Sequence, residues 1–308
     1  NVPASTFVPV ADFAAAQKTA WATPLFGLSI RMAQDTPNLN AIARIGEHYK
    51  NGSSSDLNVS TDPIVLSCQK NWHMLFTDGL TYQPTAPDVL PDPDQDDTIK
   101  AGAWVTDAGL TNNSDWTPPY REDISNKIGN SASDLATYYW VTDLRSSMTN
   151  NVGQSASDKA DWQHVNFAAI SLGTEGKLAA GDQSGVEKQL TSGALNWPTP
   201  YPSVNQPDAS GVDDLWHASV NSRGRFVNAD SADEIKLGIG AILADIENTA
   251  GSRAGASLQT VNLTGTAANA YRVTFEPGWG GTVSKVNVDP STLAEIPPAP
   301  WQVGGGKD

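Results

Sequence analysis

Short apolar runs that alternate with helical patterns constrain the fold of this chain more than any other feature. One run extends from Trp72 to Phe76 and is followed directly by Thr77-Asp78-Gly79, and a second extends from Val165 to Leu172. Continuous apolar runs of this length are typical of strands that are buried on both faces, as in a parallel sheet. We therefore expect both runs to be strands of one sheet.

Helical patterns occupy the segments around these runs. Thr23-Pro24 predicts a helix from Pro24 to about Gln34, because threonine is a good N-cap and proline is favoured at the first helical position. Ser131 to Asp134 resembles a capping box that opens a second helix. Further helices should begin at Asp213 and after Ser231. Residues 174–210 are expected to form a loop. This alternation predicts an α/β fold, with a mostly parallel sheet flanked by helices.

The period of the apolar pattern changes after residue 250. Gly251 to Gly255 is a small-residue linker, and Tyr271, Val273 and Phe275 then alternate as in a strand. We therefore expect a first domain over residues 1–250, with a long insertion at 80–130. Residues 251–308 should hold a linker and the first strands of a β-rich module. A loop as long as the insertion is unusual unless it carries function.

Charge and composition exclude two classes of partner. The chain has 34 acidic and 19 basic residues, so its formal net charge is −15. Binding to nucleic acid through a basic face, or to anionic lipid, is therefore not expected. No apolar run approaches the length of about 18 residues that a membrane span needs. Charged residues make up only 17% of the chain, against about 25% in ordinary domains, and this favours an exported surface protein.

Catalytic motifs are absent from the sequence. It contains no Gly-x-Ser-x-Gly, no His-Glu-x-x-His and no phosphate-binding loop. The neighbouring acids Asp213 and Asp214, together with ten tryptophans, leave a secreted carbohydrate-active enzyme as a lower-ranked alternative. It ranks low because two neighbours in sequence do not easily reach one glycosidic bond.

Two groups of oxygen-bearing side chains are candidates for a hard cation such as Mg²⁺ or Ca²⁺. Asp78 follows a predicted strand, at the edge where ligands bind in open α/β sheets, and Thr23 lies at a predicted helix start. The alternative is that Thr23 only caps a helix and Asp78 only caps a turn. The other group lies in the insertion and lacks the glycine and glutamate of a calcium hand, so a solvated acidic loop also explains it. It comprises Asp92, Asp94, Asp96 and Asp97.

Several longer stretches resemble known proteins. Ala22–Leu25 followed by Trp72–Gly79 resembles the second half of a von Willebrand factor A domain. Together with four other stretches, that pair also resembles the PilY-type family of type IV pilus assembly and tip-adhesin proteins. The stretches occur in the same order as in that family. The four others are Ser67–Asn71, Asp134–Arg145, Asp213–Phe226 and Tyr271–Trp279, the last of which is similar to the start of that family's C-terminal β-propeller.

This resemblance implies a secreted, non-enzymatic protein at the cell surface or pilus tip, or associated with the outer membrane. Such a protein supports pilus biogenesis and surface attachment, and its partners are minor pilins or other pilus-tip proteins and a host or surface ligand. A divalent-cation-binding module without an adhesive role is an alternative.

The resemblance also implies a metal-dependent adhesion site in which Thr23 and Asp78 match two ligands. The Asp-x-Ser-x-Ser element of such sites should precede Thr23, and it is absent from the sequence. Either the N-terminal part of the domain is missing from this sequence, or this homologue has lost the site. We expect an A domain that is incomplete at its N-terminus, with an open sheet edge.

Overall fold

The computed structural model describes residues 8–27, 36–54, 57, 59–81, 119–120, 131–155, 157–178, 182–200, 208–250, 268–276, 280–288 and 295–305. Contacts divide the chain into two compact units, Asn1–Ile242 and Leu243–Asp308.

A three-stranded parallel sheet lies in the first unit. Its strands are β1 (Asn71–Thr77), β2 (Val165–Leu172) and β3 (Phe226–Ala229), and they are neighbours in that order. The predicted parallel sheet and the α/β class are therefore confirmed. Both apolar runs are strands within one residue of their predicted bounds.

Helices lie before, between and after these strands, and three of them pack against the sheet. They are α1 (Ala15–Gly27), α2 (Asn38–Asn51), α3 (Ala132–Val141), α4 (Gln183–Ser192), α5 (Ser210–Asn221) and α6 (Ala232–Ala250). α3 contacts both α2 and α5, while α2 contacts β1 and the other two contact β2. Because the connections from β1 to β2 and from β2 to β3 step in the same direction, right-handed crossovers place their helices on the same face.

The main apolar core fills the space between this helix layer and the sheet. Most of its members come from α2, α3, α5 and β2, and the nine named next are each at most 5% exposed. They include Leu39, Ile42, Ala43, Leu135, Ala136, Phe167, Ala169, Leu215 and Trp216. Full burial of a large apolar side chain contributes about 1.5–3 kcal/mol, so this interface holds the helices on the sheet.

The prediction that β1 is buried on both faces is wrong. The ring of His73 packs edge-on against Phe167 on the helix side, with 5.2 Å between ring centroids. Side chains alternate along a strand, so Trp72, Met74 and Phe76 point to the other face, where Phe76 is 47% exposed. Among the described strands, β1 pairs only with β2. β1 is therefore an edge strand.

The first helix differs from its prediction. Thr23 and Pro24 lie inside α1, so the expected helix start at Pro24 is wrong, and residues 28–34 of that prediction lie outside the described part of the chain. An internal proline removes one helical hydrogen bond. The Thr-Pro signal is local, and it does not exclude a helix that has already begun upstream.

Two further helices have no counterpart in the sequence-based expectations. α2 buries Leu39, Ile42 and Tyr49 at helical spacing and ends at Gly52, whose φ of 70° is left-handed. α4 lies within residues 174–210, where a loop was expected. Only Val186 and Leu190 of α4 are buried, so its apolar stripe is too narrow to stand out among the flanking prolines.

The second unit contains an antiparallel sheet. Its strands β4 (Ala268–Glu276), β5 (Gly280–Val288) and β6 (Glu295–Gly305) are neighbours in that order. Val273 of β4 lies opposite Val283 of β5. Strands are therefore present where the period of two indicated them. The domain boundary at residue 250 and the start of a propeller stay predictions.

Candidate functional site

One edge of the first unit gathers the features that point to ligand binding. The strands β1 and β2 end here, and α2, α3 and α5 begin here, because the helices of such a layer run antiparallel to the strands. We call this the carboxyl edge and define it by Asn38, Asp78, Ser131, Ser171 and Asp213. Ligands in open α/β sheets bind at an edge of this kind.

Asp78 lies at the carboxyl edge with an exposed side chain. Its Oδ1 accepts a hydrogen bond from the hydroxyl of Thr77 at 3.3 Å. The same hydroxyl oxygen accepts from Asn38 Nδ2 at 3.1 Å and from the amide of Gly79 at 3.2 Å. Gly79 has a φ of 91°, and a Cβ there would collide with Ser171. The turn therefore fixes the backbone at Asp78 while its carboxylate faces solvent.

Thr23 lies in different surroundings. It is exposed, and its hydroxyl donates to the carbonyl oxygen of Thr19 within α1 at 2.7 Å. No described contact joins it to Asp78. The helix start predicted at Thr23-Pro24 is therefore not the helix start at the carboxyl edge.

A second Thr-Pro pair, Thr36-Pro37, stands directly before α2. The side chain of Asn38 donates to Thr77 at 3.1 Å and to Thr81 at 2.9 Å. The beginning of α2 is thereby held against the end of β1, only two residues from Thr36. Sequence reasoning missed Thr36, although the same Thr-Pro signal precedes an apolar stripe of helical spacing there.

Asp213 and Asp214 are buried anchors at this edge. Asp214 accepts from the backbone amides of Ala132 at 2.7 Å and Ser133 at 3.0 Å, at the start of α3. Asp213 accepts from the two amides of Lys177–Leu178 at 2.7 and 3.1 Å. Burial raises the pKa of Asp213 although these amides oppose the rise. The two carboxylates hold different segments, which contradicts their use as an acid–base pair on one glycosidic bond.

The residue types at the carboxyl edge suit a hard cation, but the described residues supply too few oxygen ligands at one point. Carboxylate and hydroxyl oxygens are the ligands that Mg²⁺ and Ca²⁺ prefer, and Ca²⁺ takes about six to eight of them. Within the described ranges, no group of three or more His, Cys, Asp or Glu side chains surrounds one point. The four acids of the insertion, Asp92, Asp94, Asp96 and Asp97, lie outside those ranges.

Comparison with known proteins gives one consistent relationship. The type IV pilus biogenesis factor PilY1 of Pseudomonas aeruginosa strain PAK is 27% identical over 300 residues, which is 86% of this chain and 24% of PilY1. PilY1 of strain UCBPP-PA14 is 27% identical over 305 residues, or 87% of this chain. PilY1 of strain PAO1 is similar to the same extent. This chain therefore spans about a quarter of the length of these curated relatives.

No family model and no solved structure matches the chain. No helix in the described segments is long and apolar enough to cross a membrane. The names of the relatives describe biogenesis factors and state no enzymatic activity. The match extends over most of this chain and agrees with the stretches that resemble the family, so the chain is similar to PilY-type type IV pilus biogenesis factors over most of its length.

Proposed function

We propose that this chain is part of a non-enzymatic type IV pilus assembly factor and adhesin, located at the cell surface or pilus tip. The similarity to PilY1 over 86% of the chain carries this proposal. The absence of catalytic motifs supports the non-enzymatic reading, as does the engagement of Asp213 and Asp214 with backbone amides. Its partners are minor pilins or other pilus-tip proteins, and a host or surface ligand.

Localisation of the intact protein in its own bacterium tests this proposal. Gold-labelled antibody against the chain should mark pilus tips or the cell surface of intact cells. The same antibody on cells that lack the gene is the control. Label that is confined to the cytoplasm, and never found with pili, would overturn the proposal.

We further propose that the carboxyl edge binds Mg²⁺ or Ca²⁺ through Asp78. A carboxylate that is exposed beside a fixed turn can take a cation without first losing a buried partner. Of the two Thr-Pro positions, Thr36 is the better placed second ligand, because α2 begins against the end of β1. Thr23 stays the ligand that the sequence predicted. Water or another chain would supply the remaining oxygens.

Calorimetric titration of the chain with Ca²⁺ and with Mg²⁺ tests the cation proposal. Asp78→Asn should abolish the heat of binding, and Thr36→Val should weaken binding at least tenfold. Thr23→Val is the matched control and should bind as the wild type does. The reverse ranking of the two threonine variants would favour Thr23, and a wild-type chain that gives no heat would remove the metal from this part of the protein.

A cation-binding module without an adhesive role is the second candidate, because the exposed Asp78 supports cation binding and nothing more. Attachment of piliated cells to surfaces separates the two candidates. If Asp78→Asn in the full protein leaves pili intact but reduces attachment, the adhesive role stands. Unchanged attachment would favour the cation-binding module.

A further inference from the structure

Arg223 has a backbone conformation that normally suits glycine. It follows α5 by two residues and, of the non-glycine residues that the structure describes, it alone has a positive φ, of 62°. Glycine is the preferred residue just after a helix in this left-handed conformation, because other residues pay a steric cost there. An arginine at this position therefore indicates that its side chain has a role.

The guanidinium of Arg223 lies between two aromatic rings. It is 4.2 Å from the centroid of Tyr120 and 4.1 Å from that of Trp140. It also donates to the carbonyl oxygen of Asn221 at 2.6 Å. Burial lowers the pKa of Arg223, but an arginine stays charged in proteins. The two rings therefore face a desolvated cation, the setting in which cation–π attraction is strongest.

Both carbonyl groups of Pro119–Tyr120 are held as well. Trp197 Nε1 donates to the oxygen of Pro119 at 2.5 Å. His217 Nε2 and Asn221 Nδ2 each lie 3.0 Å from the oxygen of Tyr120. Because a carbonyl oxygen only accepts, His217 carries its proton on Nε2, and burial lowers the pKa of this ring to about 3, which keeps it neutral. The ring of Trp197 stacks on that of His217, with 4.6 Å between centroids.

These contacts lie far from the two places where the insertion joins the sheet unit. Thr81 is held at the carboxyl edge by Asn38, and Ser131 begins α3 at that same edge. Tyr120, in contrast, contacts residues late in α3 and α5, and these helices end at the opposite edge of the sheet. Tyr120 and the two ends of the insertion are therefore held at opposite edges of the sheet.

We propose that Arg223, Trp140, Trp197, His217 and Asn221 form a latch that fixes Pro119–Tyr120 against the helix layer. The latch divides the insertion into two segments with separate anchor points. The longer segment, which follows Asp78, is tied at the carboxyl edge through Thr81 and at the opposite edge through Tyr120. Arg223 is the positioning residue of this latch. Its left-handed backbone conformation, which terminates α5, is a secondary role.

Hydrogen exchange followed by mass spectrometry on the full chain tests the latch. Arg223→Gly removes the guanidinium and relieves the left-handed backbone. It should speed amide exchange at least tenfold in the peptide that spans residues 119–124 and contains the amide of Tyr120. Exchange in β2 should not change, and the melting temperature should not fall. Arg223→Lys keeps a charge without the planar group and should give an intermediate rate. Arg225→Ala, at an exposed arginine two residues away, is the control and should change neither rate.

Two results would overturn the latch. Unchanged exchange at residues 119–124 in Arg223→Gly would make Arg223 a helix end and nothing more. A parallel rise in β2 would show general destabilisation in place of a released segment. If Arg223→Gly does not fold, Trp197→Phe removes one donor and keeps an aromatic ring. It should then speed exchange at residues 119–124 severalfold, and no change there would equally contradict the proposal.

Discussion

The buried carboxylate of Asp158 joins three parts of the first unit through single hydrogen bonds. It accepts from Trp140 Nε1 at 3.2 Å, from His164 Nε2 at 3.1 Å and from Asn166 Nδ2 at 2.7 Å. His164 Nδ1 lies 2.7 Å from the carbonyl oxygen of Trp162. The carboxylate of Asp158 and the ring of His164 thus belong to one buried polar network with Trp140 and Asn166. Burial raises the pKa of Asp158, but its donors, His164 first, lower it well below the usual range.

Asp158→Asn should therefore destabilise the chain by about 3 kcal/mol, because the amide cannot accept all the buried hydrogen bonds that the carboxylate accepts, and each such bond to a charged group is worth about 1.5–3 kcal/mol. Urea unfolding followed by fluorescence of the buried tryptophans measures this loss. Glu175→Gln, at an exposed acid, is the control and should stay within about 0.5 kcal/mol of the wild type. A loss below 1 kcal/mol in Asp158→Asn would contradict a stabilising role of this carboxylate.

The same residue predicts how stability depends on acid. The pKa of Asp158 is lower in the folded chain than the value of about 3.9 in an unfolded one. Its contribution is thus fully present above about pH 4 and is lost as the pH falls towards the folded pKa, since the unfolded state then binds more protons. Urea midpoints at a series of pH values below about 5 should fall steeply for the wild type. The slope should be shallower in Asp158→Asn, and equal slopes would assign the acid sensitivity to other carboxylates.

At the scale of secondary-structure elements, α3 is held at its start by two carboxylates. Ser131 Oγ accepts from the amide of Asp134 at 3.1 Å and Asp134 Oδ2 accepts from the amide of Ser131 at 3.0 Å, which confirms the predicted capping box. Asp214 of α5 accepts the next two amides of the helix, those of Ala132 and Ser133. A negative charge is favourable at a helix N-terminus. α5 thus fixes the start of α3 as well as packing beside it.

Asp214→Ala should cost about 3 kcal/mol of stability, because two buried amides lose a charged acceptor and each such bond is worth about 1.5–3 kcal/mol. Thermal and urea unfolding measure the loss. Ser231→Ala is the matched control, since it removes a cap at the exposed start of α6 and should cost about 1 kcal/mol or less. Equal losses in the two variants would show that Asp214 contributes no more than a surface cap.

The sequence predicts those elements whose signals are local and strong. β1 and β2 are unbroken apolar runs, and the spacing of Ser131 and Asp134 is that of a capping box at the start of α3. The family resemblance predicted an open sheet edge, but the apolar run of β1 did not show that this strand lies at an edge, because the number of its neighbours depends on tertiary structure. The helix start at the carboxyl edge was assigned to the wrong Thr-Pro pair. The two pairs look alike in sequence, and only the contact of Asn38 with Thr77 separates them.

At the scale of the whole molecule, this chain matches only part of the length of its relatives. It spans 24% of the length of the PilY1 relatives, and its sheet has β1 at one edge with a partly exposed face. Strand edges of this kind are places where other chain segments pair. The net charge of −15 directs interactions towards proteins, cations and surfaces, and away from nucleic acid. These features are compatible with the proposed pairing to other proteins.

The count of surface pili in the source bacterium tests the central claim most directly. Deletion of the gene that encodes this chain should remove most pili, and the full-length gene supplied in trans should restore them, because the protein is proposed to support pilus assembly. An empty vector is the control for the restored strain. A deletion strain that carries as many surface pili as the wild type would contradict the account, whatever the chain binds in isolation.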